Sequence, residues 1–349
     1  MLRPVDEANG VKVAVVGLGR WGPAVARNLN TLPGCHLAWC CDLDPDNRER
    51  WQSTFLNARF TGDLDEVLGD ESVDAVALTT PVPTHGELAE RVLEAGKDCF
   101  VEKPLADSVE MADRVRIIAE ERGAVLMVGH LLEYHPGLEI LSRLLGDGEL
   151  GNPRYIYSQR VNLGQLRANE NALWSLGPHD IAVILSLVGK APVEVSARGE
   201  CYIRSGVEDV IFGHMRFANK ISAHLHLSWL DPHKERRITV VGSKRMATFD
   251  DMAPERKVTV YDKGFDRHES LYGEYAIRSG EAHSPAVPNI EALRIECEHF
   301  IDCVRSRRRP KTDGASGLRV VRILEAMQAS LDQDGATILI DDPSLAVAS

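Results

Sequence analysis

Three groupings of residues in this chain could do chemistry. Gly17-Leu18-Gly19-Arg20-Trp21-Gly22 follows the apolar run Val11–Val16 directly and opens a helical pattern. A glycine turn between strand and helix leaves amide N–H groups facing outward at a helix start, which suits a phosphate. Gly17 permits the tight turn, Gly19 lets the backbone approach a pyrophosphate, and Gly22 lets helix and strand pack closely. Asp42 ends the next apolar run, where a carboxylate accepts hydrogen bonds from both adenosine ribose hydroxyls and repels a 2′-phosphate. No arginine follows immediately to receive such a phosphate, so NAD is the expected cofactor rather than NADP. Asp44 is the alternative acceptor, and an acidic turn before Pro45 is the structural alternative for both. The second grouping is Glu102-Lys103-Pro104, directly after the apolar run Asp98–Val101. A lysine at the carboxyl edge of a parallel sheet, partly buried beside a cationic nicotinamide ring, would fall below its ordinary pKa of ~10.4. It could hold a substrate hydroxyl or take its proton. The third is Trp174-Ser175-Leu176-Gly177-Pro178-His179-Asp180, whose histidine on a predicted helix either accepts a proton or merely caps and packs.

These groups need a scaffold, and the first third of the chain supplies the pattern of one. Strands are predicted at Val11–Val16, His36–Cys41, Val73–Thr79, Asp98–Val101 and Val125–Val128, alternating with helices at Gly22–Leu32, Asp46–Leu56, Thr84–Ala95 and Ser108–Arg122. Such alternation implies right-handed crossovers and a doubly wound parallel sheet. After Gly129 the pattern changes. A helix near Pro136–Leu145 is followed by period-two runs at Tyr155–Val161, Val193–Tyr202, Val210–Phe217, Ile221–Trp229, Arg237–Val241 and Val258–Tyr261, interrupted by a helix over Ala172–Leu187. Asn219–Lys220 reads as a hairpin turn. The expectation is an α/β chain: a doubly wound domain over 1–130, then an α+β domain over 131–349 with a mixed or antiparallel sheet. Residues 264–288 read as an irregular excursion, and helices return at Asn289–Arg305 and Leu318–Leu331, the first ending in the basic run Arg305–Arg309.

Composition narrows the function. At 349 residues the chain is long enough for about two domains. The net charge of −12 would repel a phosphate backbone, so nucleic acid is not an expected partner. No apolar run approaches the ~20 residues that span a bilayer, and Met1–Gly10 is too polar and acidic for a secretory signal, so a cytoplasmic location without membrane partners is expected. Seven scattered cysteines without zinc-finger spacing read as reduced buried thiols, and no metal is expected. His224 and His226 share a strand face, but a pair without a third ligand reads as polar sheet surface packed on a neighbouring subunit. His130, Tyr134 and His135 follow the last strand of the first domain and are candidate substrate contacts.

In order and spacing, the glycine turn, Thr79-Thr80-Pro81 with His85 on the next helix, Glu102-Lys103-Pro104, and the Trp174–Asp180 segment resemble the Gfo/Idh/MocA oxidoreductases, over nearly the whole chain. The resemblance implies an N-terminal Rossmann domain joined to a domain with a large open, mostly antiparallel sheet that often buries itself against another subunit, hence a homodimer or homotetramer. It implies that Gly17, Gly19, Arg20 and Trp21 contact the dinucleotide, Asp42 its ribose, Thr80, Pro81 and His85 the nicotinamide half, and Glu102 and Lys103 the nicotinamide ribose and the substrate. His179 would face the reacting carbon. Many polyol-oxidising relatives carry Asp four residues before and three after that histidine; here Ser175 and Ala182 stand there, which argues against an inositol-type proton relay. Lacking the carboxylate at the first place, the imidazole should be neutral near pH 7 and able to accept a proton.

The form of the Trp174–Asp180 segment, with Ser228-Trp229-Leu230-Asp231-Pro232-His233-Lys234 and Val241-Gly242-Ser243 downstream, resembles the branch acting on nucleotide-linked sugars. The implied reaction is NAD-dependent oxidation of a secondary sugar hydroxyl to a ketone, with C3 of UDP-N-acetylglucosamine as the expected position and an aminotransferase as the expected pathway partner. An inositol or free-sugar dehydrogenase, and a non-catalytic NAD-binding regulator, are the alternatives. Arg160, Asn162 and Arg167 lie on the segment leading to Trp174 and could meet a diphosphate or uridine, since a guanidinium matches phosphate oxygens bidentately. Surface ion pairs are the alternative for both arginines.

Overall fold

The computed structural model describes residues 10–164, 166–167, 170–267 and 274–340. These form two compact units: the chain up to Tyr134 together with Ile290–Arg322, and His135–Asn289 together with the chain from Ile323 onward.

In the first unit the chain runs β1 (Val11–Val16), α1 (Gly22–Thr31), β2 (Cys35–Cys41), α2 (Pro45–Gln52), β3 (Arg59–Thr61), α3 (Leu64–Gly69), β4 (Ala75–Leu78), α4 (His85–Glu94), β5 (Asp98–Glu102), α5 (Val109–Arg122) and β6 (Leu126–Gly129). The six strands are all parallel, in the order β3-β2-β1-β4-β5-β6. Their sequences dictate burial on both faces: β4 is Ala-Val-Ala-Leu with every residue buried, and Val11, Val13 and Val15 of β1 have no exposed surface. Local signals set the helix limits. Asp44 caps α2, Asp63 caps α3, Ser108 caps α5, and Gly123 ends α5 in the left-handed conformation at φ +64°. β3 and α3 were not expected, because three half-polar residues and a six-residue helix leave no periodic signal.

The second unit begins with α6 (Pro136–Gly146), β7 (Pro153–Val161), α7 (Ala172–Val188), β8 (Pro192–Glu200), β9 (Val210–Phe217), β10 (Ser222–Ser228), β11 (Glu235–Gly242), β12 (Met246–Asp250), β13 (Val258–Arg267) and β14 (Tyr275–His283). Then come α8 (Ala292–Ser306), α9 (Gly314–Asp332) and β15 (Ile338–Leu339). The nine-stranded sheet has the order β14-β13-β12-β11-β7-β10-β9-β8-β15, antiparallel except for β7 beside β10. Strict alternation explains its two faces. In β9 Ile211, Gly213, Met215 and Phe217 point inward while Phe212, His214 and Arg216 point outward. The inner face packs on α7. The β9–β10 hairpin turns through Lys220 at φ +63°, whose N–H donates to the Phe217 carbonyl.

Two stretches differ from the sequence reading. Residues 264–288 are not irregular throughout: β13 runs on to Arg267 and pairs with β14. Both strands are solvent-exposed there, so no apolar face imposes a period-two pattern, and the ribbon is held by backbone pairing and by Arg278 on Asp262 (2.9 Å) and Asp266. Residues 268–273 lie outside the described set. The second difference is that 290–322 packs with the first unit rather than continuing the second. On α8, Leu293, Cys297, Phe300, Ile301 and Val304 form a helical stripe in the core shared with α1 and β1, and Phe300 meets Phe100 edge-on at 5.7 Å. The basic run at the end of α8 is engaged: Arg305 donates to the Gly34 carbonyl, and the Arg307 guanidinium grips the buried Asp98 carboxylate. Six of the seven cysteines are buried and reduced, Cys201 being exposed. Among the described residues no helix is long and apolar enough to cross a membrane.

Candidate active site

The three glycines of the first turn differ in what surrounds them. Gly17 lies at φ +93°, and a Cβ there would press on the Thr79 carbonyl at 2.9 Å. A Cβ at Gly22 would collide with the Gly17 carbonyl oxygen and lie 2.7 Å from Thr79 Oγ1. At Gly19 a Cβ would meet none of the described residues within 4 Å, so among them the turn's outer side is open for a ligand to come up to the backbone. Thr79 at the end of β4 locks this turn, its hydroxyl donating to the carbonyls of Gly17 (2.6 Å) and Val16 (3.1 Å). From the side, the half-buried Asp42 accepts the Leu18 N–H at 2.5 Å and, through its other oxygen, the Asp44 N–H at 2.8 Å. Asp44 itself accepts from Asp46 N as the cap of α2. Open glycine backbone, a helix start and a fixed carboxylate at the end of β2 fit a dinucleotide. Gly22→Ala should therefore cost about 1–3 kcal/mol of unfolding free energy or more and abolish measurable NAD binding, checked by urea denaturation and by titration of intrinsic fluorescence.

Arg20 and Trp21 are exposed beside the turn, and the Trp21 indole N–H donates to the Glu102 carboxylate, tying the glycine turn to the end of β5. Burial pushes the Glu102 carboxyl up to about 7, against the opposing pull of the Lys103 charge and that indole bond. Lys103 follows at the carboxyl edge of the sheet, half-buried, with a cis bond to Pro104. Across the edge, Thr80 accepts a hydroxyl hydrogen bond from Thr84 at 2.8 Å, and Pro81 remains exposed. His85 has a different place from the one the family resemblance implied. It is 1% exposed, with Nδ1 2.8 Å from the Pro104 carbonyl and Nε2 2.8 Å from the Thr80 carbonyl. Both ring nitrogens face backbone carbonyls, and the neutral ring that burial favours donates to one of them, so His85 braces the loops after β4 and β5.

The three residues after β6 are also structural or buried. The Tyr134 hydroxyl pairs with Thr312 at 2.9 Å in the core. His135 caps α6 through Nδ1, accepting from Gly137 N at 3.0 Å, and packs on Phe249. His130 is 1% exposed, and burial next to the Lys103 and Arg319 charges holds its imidazole down to about 3.

In the second unit α7 carries the third grouping. Asn171 caps it, its Oδ1 accepting Trp174 N, while its Nδ2 donates to Glu208 (2.7 Å) and Gln328 (2.9 Å). Pro178 inside the helix removes the N–H that would bond the Trp174 carbonyl. His179 is half-buried, with Ser175 one turn before it and Ala182 about one turn after it on the same side of the helix. Its neighbour Asp180 is 1% exposed and accepts Ser158 Oγ and the Arg160 guanidinium, itself 6% exposed. Arg160 was a candidate to meet a diphosphate or uridine, with a surface ion pair as the alternative. Its charge is instead neutralised by Asp180, which fixes α7 on β7. Arg167 is exposed and pairs with Glu170 at 2.7 Å, while Asn162 Oδ1 is buried next to Gly164 without a hydrogen-bond partner among the described residues.

His224 and His226 lie on the outer sheet face, where Tyr157 stacks on His224 at 5.2 Å and Phe212 on His226 at 4.5 Å. Among the described residues no group of three or more His, Cys, Asp or Glu is placed to hold a metal ion.

Comparison with known proteins gives independent bearings. Residues 11–130 match the family described as "Oxidoreductase family, NAD-binding Rossmann fold", and residues 139–248 match the "GFO/IDH/MocA C-terminal domain". The chain is 28% identical over 314 residues to the UDP-N-acetylglucosamine 3-dehydrogenase of Acidithiobacillus ferrooxidans, covering 89% of this chain and 94% of that one. A solved structure of that dehydrogenase has a TM-score of 0.80 at 26% identity, covering 93% of this chain and 98% of that one. The scyllo-inositol 2-dehydrogenase (NAD(+)) of Bacillus subtilis is 26% identical over 314 residues, 86% of this chain and 88% of that one. A protein of gentamicin A biosynthesis, solved in complex with NAD, has a TM-score of 0.81 at 25% identity, covering 98% of this chain and 99% of that one.

Proposed function

Because this chain belongs to the Gfo/Idh/MocA family and is an NAD-dependent oxidoreductase, we propose that it oxidises a secondary hydroxyl of a sugar nucleotide to a ketone, C3 of UDP-N-acetylglucosamine first among candidates. The observation that carries the reading is the open glycine turn joined through Trp21 to Glu102, with Lys103 next in sequence at the carboxyl edge of the parallel sheet. NAD supplies the hydride acceptor when bound. Glycines 17 and 19 with Arg20 and Trp21 hold the dinucleotide, Asp42 its ribose, and Thr80, Pro81 and Glu102 its nicotinamide half. Lys103 holds the substrate hydroxyl and stabilises the developing alkoxide, and His179 is the second candidate to take or relay the hydroxyl proton. Trp174, Asn162 and Arg167 serve the substrate, while Arg160 acts by holding the helix that carries His179.

Support for the nucleotide-sugar reading comes from the similarity to UDP-N-acetylglucosamine 3-dehydrogenase and from Ser175 and Ala182 in place of carboxylates on the His179 face. The second reading, an inositol dehydrogenase, is favoured by the Bacillus subtilis relative. NADH formation across a panel of UDP-sugars and inositols at fixed NAD separates them. Turnover of UDP-N-acetylglucosamine with none of myo-inositol supports the first, and the reverse overturns it. Cofactor binding with no turnover of either would identify a regulator. In the same reading the enzyme is cytoplasmic, it is a homodimer or homotetramer paired through the outer sheet face of β7, β9 and β10, and its keto product is consumed by an aminotransferase.

A further inference from the structure

Past Tyr261, which pairs with the first residue of β12, strands β13 and β14 run on with only each other as strand neighbours among the described residues. Asp262–Arg267 of β13 make an overhang of about 20 Å at ordinary strand spacing. Gly264, Asp266, Ala276 and Arg278 alternate onto its inner face, where Arg278 holds Asp262 (2.9 Å) and Asp266 and donates to the Lys244 carbonyl. The outer face takes Phe265 opposite Ile277 and Arg267 opposite Tyr275. Phe265 is 60% exposed, Ile277 77% and Tyr275 67%, so the ribbon turns its apolar side away from its own unit. A two-stranded ribbon is marginal by itself in water, and that face does nothing to stabilise it there. Register shows where the face leads. His214, His224, Tyr157, Thr239, Thr248 and Thr259 are successive partners across β9, β10, β7, β11, β12 and β13, so all six point outward. Thr259, Tyr261, Lys263 and Phe265 are alternate residues of one strand, and Lys263 Nζ lies 5.7 Å from the Tyr261 ring. Phe265, and with it Ile277, therefore continues the outer sheet face on which Phe212 and Tyr155 are also exposed.

We propose that the β13–β14 ribbon is an arm that closes on a second copy of this chain, with Phe265, Ile277 and Tyr275 as its apolar contacts. The inference rests on the reading that copies pair through the outer face of β7, β9 and β10, and it adds a separable contact to that pairing. Area favours this occupant. The three ribbon side chains offer on the order of 400 Å² of apolar surface, the size at which a patch on a monomer is commonly functional. That is about half of the ~800 Å² each partner buries in a stable pair, and the continuous sheet face behind the ribbon supplies the remainder. Symmetry favours it too: a two-fold pair uses the same surface on both copies, so one association covers both arms at once. Lys263 and Arg267 stand beside the apolar residues on the arm's outer face, as charged groups do at the rim of an interface.

The test is sedimentation velocity over a concentration series on the full chain, on Phe265→Thr/Ile277→Thr and on Phe212→Thr. Threonine keeps the preference for a strand while removing the large apolar surface, and far-ultraviolet circular dichroism checks the fold. The ribbon variant should raise the dissociation constant of the pair by at least about 100-fold. An unchanged constant, or a parent chain that stays monomeric throughout the series, overturns the arm. Weakening by Phe212→Thr alone also overturns it and leaves the sheet-face pairing standing. Weakening by the ribbon variant alone keeps the arm and removes the sheet-face reading. Parent monomers that float with phosphatidylcholine–phosphatidylserine vesicles, and lose flotation in the ribbon variant, would overturn the second copy in favour of a lipid surface. Should the ribbon variant not fold, hydrogen exchange of the parent decides: slower exchange at the β14 amides as concentration rises supports the arm, and exchange independent of concentration overturns it.

Discussion

Lys103→Met is expected to lower kcat by about 10²- to 10⁴-fold, the usual contribution of a positioned acid or base, while leaving NAD affinity nearly unchanged. Methionine keeps the length and the apolar stem of lysine and removes only the amine. The glycine turn and Asp42, which serve the dinucleotide, do not depend on that amine. Steady-state kinetics with a parallel NADH fluorescence titration separates the two effects. If kcat fell less than about tenfold, the proton would have to go elsewhere, and a larger loss in His179→Ala would name the imidazole as the base.

Asp180→Ala should cost about 3–5 kcal/mol of unfolding free energy, among the largest single-residue effects expected in the chain. The reason is what remains: a guanidinium only 6% exposed, deprived of its counter-charge and of two hydrogen bonds. The double variant Arg160→Met/Asp180→Leu should recover most of that loss, because an apolar pair of similar volume often matches a buried ion pair. Urea denaturation of the three proteins checks both statements. An Arg160→Met variant that kept full stability but raised the KM for a UDP-sugar would return Arg160 to the substrate site.

Much of the first unit was legible because its rules are local. β1 and the glycine turn begin where the valine run and the glycines place them, and Ser108 and Gly123 mark the ends of α5. Lys103 could be placed at a sheet edge because the apolar run before it made it the residue after a buried strand. The fates of Arg160 and His85 were not legible. Both depend on partners distant in sequence or on backbone carbonyls, Asp180 twenty residues on for one and Pro104 nineteen on for the other, and composition carries no trace of such pairings. The burial of Glu296 on α8 was not legible for a related reason: in a helix reading EALRIECEHF a glutamate looks like solvated surface until its stripe is seen to face a core. Thr79 had a weaker signal, since a hydroxyl residue closing a strand beside a glycine turn is placed to bond that turn.

The return of residues 290–322 to the first unit has a consequence for how the protein is made. When Gly10–Tyr134 has left the ribosome, the core of that unit still lacks Leu293, Phe300, Ile301 and Val304. At about 5–20 residues per second, synthesis of the intervening segment takes roughly 10 to 30 s, during which the α1 and β1 surfaces destined for α8 stay uncovered. The nascent nucleotide-binding half thus presents an open hydrophobic surface of the kind chaperones bind until α8 emerges.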